Sequence, residues 1–104
     1  MADFHAPSID RLFKTFLQLE TIEECYQYFE DLCTVKEIQD MAQRLYAAVM
    51  LSEGARYQEI VKEVNISSAT VCRVSKCLHY GTGGYQNAIR KLQNEETNHH
   101  AHIE

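Results

Sequence analysis

Behind the only proline of the chain, Pro7, apolar residues recur at Ile9, Leu12, Phe13, Phe16 and Leu17. Spacings of three and four put all five on one helix face, with Ser8 placed to cap it. The next apolar set is Ile22, Cys25, Tyr26, Phe29 and Leu32. It follows "TIEE", where Thr21 and Glu24 stand in capping-box register. "TVKE" repeats the device with Thr34 and Glu37. The helix it opens carries Ile38, Met41, Leu45, Ala48 and Val49 and stops before Gly54.

A shorter helix is predicted over residues 57–64, then the turn "NIS", then a helix over residues 68–79. "YGTGGY" breaks the chain, and residues 85–93 form a last helix with Ala88, Ile89 and Leu92 inward. The end, "NEETNHHAHIE", is polar and aperiodic, which predicts a disordered tail at 96–104. Strand-like alternation is missing, so the fold class is all-α with about six helices. Residues 1–95 make one helical domain. Within it, 8–52 hold dimerisation helices, 56–80 a helix-turn-helix and 84–94 the C-terminal helix. Phe13, Phe16, Leu17 and Phe29 are more apolar side chain than two isolated helices can hide, which predicts a homodimer.

Residues 58–73, "QEIVKEVNISSATVCR", meet the demands of a helix-turn-helix one by one. Ile60, Val61 and Val64 give the first helix an inward face. Asn65 falls at the tight turn, where a positive φ is needed and asparagine is second only to glycine. Ile66 packs under the turn, Ser67 caps the second helix, and Val71 anchors it. Ser68, Ala69 and Thr70 are small or hydrogen-bonding, as suits a helix entering a major groove. Arg56, Lys62, Arg73 and Lys76 supply charge for phosphates, and Tyr57 and Gln58 open the first helix beside them. These ten residues, Ser67 included, are the predicted contacts to double-stranded DNA.

Composition sharpens this picture. The 104 residues carry a formal charge of −5, unfavourable at first sight for a polyanion partner. Residues 1–53, however, hold ten acidic against four basic side chains, whereas residues 54–91 hold six basic against two acidic. The net charge hides a basic module. The four cysteines, Cys25, Cys33, Cys72 and Cys77, match no paired zinc spacing and read as reduced thiols. Three are expected as small core residues; Cys72 lies on the recognition helix. A run of eighteen apolar residues is lacking, as is a leader-like start, so the expected setting is cytoplasmic, without a membrane. "HHAH" near the end reads as solvated, and no catalytic constellation suggests an enzyme.

The segments "LCTVKEIQDMAQRLYAAVMLSEG" and "YQEIVKEVNISSATVCRVSKCLHYG" resemble the tryptophan repressor superfamily, more closely its YerC/YecD-like branch. The resemblance covers about residues 32–92. It rests on "AQR" in the long helix, the glycine that ends it, and "ATVCRV" in the helix-turn-helix. It implies a six-helix protomer whose N-terminal helices intertwine with a second copy. Such a homodimer presents two recognition helices roughly 34 Å apart to a palindromic operator. It also implies a transcriptional regulator of the repressor type.

In tryptophan-sensing members, two arginines, a threonine, a glycine and a serine shape the effector site. Arg44 and Arg73 match the arginines and Thr34 the threonine, while Val74 and Cys77 stand at the glycine and serine positions. These five are the possible effector pocket, for a small molecule left unidentified. Valine adds volume to such a slot, and cysteine is a poor acceptor for an ammonium. Arg44 reads equally well as a surface arginine paired with Asp40, four residues earlier. Two alternatives stay open: a helical dimer that binds protein, and an effector-dependent repressor of the tryptophan type.

Overall fold

The first helix starts one residue before Ser8. In a computed structural model, which describes residues 5–103 and the side chains of 5–96, α1 spans Pro7–Phe16 with Ala6 at the cap position. No side chain caps it, so the expected Ser8 cap does not form. Proline at the first helical position presets φ, and the N–H it lacks would have had no partner within the helix there.

The two capping boxes behave differently from that cap. Before α2 (Ile22–Leu32), Thr21 Oγ1 accepts the Glu24 N–H at 3.1 Å. Before α3 (Val35–Ser52), the exchange is reciprocal: the Glu37 N–H donates to Thr34 Oγ1 at 3.1 Å, and the Thr34 N–H to Glu37 Oε1 at 2.9 Å. Gly54, at φ 88, ends α3. Its N–H reaches the Leu51 carbonyl at 3.1 Å, and the Ala55 N–H reaches that of Met50 at 3.0 Å. That is a Schellman close, and it needs a residue in the left-handed region.

Next come α4 (Tyr57–Ile60), a π-helical turn over Val61–Asn65, α5 (Ser68–Tyr80) and α6 (Gly84–Ile103). The first helix of the helix-turn-helix is therefore not the regular one expected over 57–64. Side-chain period does not report which carbonyl an N–H selects, and the wider turn is invisible to it. Asn65 adopts φ 63, as the turn demands. The last helix continues past residue 94 to Ile103, through most of the segment expected to be disordered. The tail side chains from residue 97, "HHAH" among them, lie outside those described.

The chain divides into two units, one ending at Ile38 and one beginning at Gln39. In the first, α1 and α2 meet through aromatic rings. Phe16 lies 5.1 Å from Phe29 and 6.0 Å from Tyr28, centroid to centroid. The Tyr28 hydroxyl sits 2.7 Å from Thr15 Oγ1. Yet neither helix has a buried residue; Leu17 is 85% and Ile22 77% exposed. Burying such a side chain is worth roughly 1.5–3 kcal/mol, so this face is far from its most stable state in a lone chain.

The second unit holds the core. Ala47, Ala48 and Met50 of α3 pack with Ile60, Val64, Val71, Val74, Leu78 and Ile89. Met41 and Leu45, expected on the inward face of α3, are exposed, as are Ala88 and Leu92 of α6. The inward stripe of α6 is instead Tyr85 and Ile89, one turn apart. Gln86 Nε2 ties this helix to the Leu78 carbonyl at 2.6 Å. Between α5 and α6 stands Gly81, where an added Cβ would collide with the Cys77 carbonyl oxygen.

Candidate nucleic-acid interface

Two faces of α5 divide its labour. Val71, Val74, Ser75 and Leu78 are buried, at spacings of three, one and three, and seat the helix on the core. The opposite side exposes Ser68, Ala69, Cys72, Arg73 and Lys76. Ser68, Cys72 and Lys76 succeed one another every four residues, with Ala69 and Arg73 alongside, so one narrow strip carries all five. Cys77 is also exposed, against the expectation that it lies in the core. It is one residue, about 100° of rotation, off the inward stripe at Leu78. Cys25 and Cys33 are half-buried, and all four thiols are free.

The N-terminus of α5 is capped as expected. Ser67 Oγ accepts the Thr70 N–H at 3.1 Å and lies 2.9 Å from Thr70 Oγ1. Thr70 is half-buried, so its hydroxyl belongs to the cap and is less open than those of its neighbours. On the preceding element, Arg56 occupies the cap position of α4, its N–H donating to Glu59 Oε1 at 3.3 Å. Tyr57, Gln58 and Lys62 are exposed. All ten residues predicted at the DNA thus lie in the second unit, on α4, the turn, α5 or the caps of the two helices, and none is buried.

Two hydrogen bonds tie this module to α3. The Tyr46 hydroxyl donates to Glu63 Oε1 at 2.8 Å, and Gln43 Nε2 donates to the Val64 carbonyl at 3.4 Å. The hydrogen bond to Glu63, and next its negative charge, raises the Tyr46 pKa above the ordinary 10.0. Neither Tyr46 nor Cys72 is among the ten residues expected at the DNA, although the sequence places Cys72 on the recognition helix. The four-residue step from Ser68 to Cys72 was a usable signal for the cysteine; nothing local signals the tyrosine.

The model of a family described as Trp repressor protein matches residues 7–93. The chain belongs to the Trp repressor family. That is a family of DNA-binding regulators, not of enzymes. The YerC protein of Bacillus subtilis (strain 168) is 47% identical over 89 residues, covering 86% of each chain. A TrpR-like protein from Eubacterium eligens ATCC 27750 superposes with a TM-score of 0.84 at 36% identity, over 86% of this chain and 93% of that one. A candidate Trp repressor from Staphylococcus aureus gives 0.83 at 41% identity, over 86% and 90%.

Within this Trp repressor family member, the expected effector residues have diverse placements. Thr34 belongs to the first unit and spends its hydroxyl on the α3 cap. The other four belong to the second. Arg44 is half-buried on α3, and Arg73 is exposed on α5. Val74, next to Arg73 but on the inward face, is 2% exposed and part of the core. Cys77 lines a groove of about 430 Å³ with Gly81, Thr82, Gly84 and Tyr85. Of the five, only Cys77 lines it. No group of three or more metal-ligating side chains occurs among the described residues, and none of their helices is long and apolar enough to cross a membrane.

Proposed function

We propose that this chain is a sequence-specific, dimeric DNA-binding regulator, of the repressor type, that reads a palindromic operator with α5. The observation that carries this is the exposed strip of α5, small residues beside Arg73 and Lys76, backed by a buried face that is mostly apolar. Ser68, Ala69 and Cys72 are small enough for close approach to base edges. Arg56, Lys62, Arg73 and Lys76 meet phosphates, which set register without reading sequence. The exposed apolar face of α1 and α2 supports pairing with a second copy, since solvated patches of that kind are costly in a monomer. A regulator works where its DNA is, which places this one in the cytoplasm.

Retention from a random duplex pool, without added effector, tests the proposal. An enriched inverted repeat with half-sites about one helical turn apart is expected. A pool that stays random, with binding indifferent to salt, would instead favour a module that binds protein, since each neutralised phosphate releases counterion.

A further inference from the structure

The basic module contains only two acidic residues, Glu59 and Glu63, and both are engaged. Glu59 Oε1 accepts the Arg56 N–H at 3.3 Å, within its own helix. Glu63 Oε1 accepts the Tyr46 hydroxyl at 2.8 Å, reaching to α3. Gln43, three residues before Tyr46, donates to the carbonyl of the next residue, Val64, at 3.4 Å. One face of α3 therefore grips the π-helical turn at two successive residues. Glu63 is exposed and follows Lys62, so without its tyrosine partner nothing in its own turn dictates where its charge points.

We propose that Tyr46 is a positioning residue for DNA binding: its hydroxyl holds the Glu63 carboxylate against α3 and away from the phosphates that Lys62 meets. The inference rests on the DNA-binding reading of the module. A carboxylate released within a Debye length of the phosphates, about 8 Å at physiological salt, repels them and competes for Lys62. A hydrogen bond to an ionised acceptor is also stronger than one between neutral groups. The raised Tyr46 pKa reflects the same hydrogen bond, and a phenol is protonated, and so able to donate, across the physiological range in any case.

The test is a cycle of Tyr46→Phe, Glu63→Gln and the double variant. Each is titrated with a duplex that the wild type retains, at low and high salt, and each is melted alongside. Tyr46→Phe is expected to weaken binding about three- to tenfold for a two-headed dimer at low salt, and less at high salt. In the Glu63→Gln background the same change is expected to cost nothing further, because no charge remains to be held. An equal loss in both backgrounds, or no loss in the wild-type background, overturns the inference while leaving DNA binding intact. Failure of the wild type to retain any duplex overturns the DNA-binding reading itself, and the inference with it. NMR titration of the tyrosine rings gives an independent check. Glu63→Gln should move the Tyr46 pKa down towards 10.0, and an unmoved value means that the bond is absent in solution.

Discussion

Ser67 Oγ accepts the N–H of Thr70 and lies 2.9 Å from the Thr70 hydroxyl. The N-terminus of α5 is thus capped by side chains proposed to lie at the DNA. A donor at the start of a helix has no backbone partner, and the serine supplies one. Ser67→Ala should therefore lower stability by about 1 kcal/mol, read as an earlier midpoint in urea. An unchanged midpoint would mean that water replaces the cap at no cost.

Cys72 and Cys77 are both exposed on α5 but point about 140° apart. Alkylation with a maleimide makes them a pair of reporters. Bound duplex should protect Cys72, on the strip with Ser68 and Lys76, while Cys77 continues to react. Equal protection of both thiols, or of neither, argues against this strip as the face that enters the groove.

Arg73 and Lys76 are assigned to phosphates. Replacing either by alanine should weaken all duplexes alike and reduce the salt slope by about 1 for each phosphate that is no longer neutralised. A weakening confined to one sequence, with the slope intact, would move that residue to base reading.

At Gly54 nothing lies within 4 Å of an added Cβ, so space is not the constraint. The backbone is, with φ at 88. Gly54→Ala should destabilise by roughly 1–2 kcal/mol, the cost of the left-handed region for a residue with a Cβ. Thermal melting decides it: a melting temperature at or above the wild-type value would show that the α3 close shifts to another conformation.

Val74 occupies core space on α5, directly beside Arg73. L-tryptophan at saturating concentration should leave both the melting temperature and the DNA affinity unchanged. A rise in either would mean that Val74 yields its place to the ligand, and the effector-dependent alternative would revive.

Much of this protein was legible in its residues because it depends on near neighbours in the chain. The capping boxes at Thr21 and Thr34, the stop at Gly54, the positive φ of Asn65 and the Ser67 cap are each decided within a few residues. So is the charge segregation that sets a basic module in an acidic chain. Local signals failed where two local solutions competed, as when Pro7 at the first turn displaced the Ser8 cap. What only the tertiary structure decided is which of several apolar stripes is buried. Periodicity marks Met41 and Leu45 as readily as Ala48, yet of these three only the alanine is buried in the core with the helix-turn-helix, where a small side chain admits close packing. The Tyr46–Glu63 hydrogen bond joins residues seventeen apart in the chain, and the half-buried state of Thr70 depends on how α5 sits on the core. Side chains from separate elements meet only after those elements have packed, and no local pattern encodes that meeting.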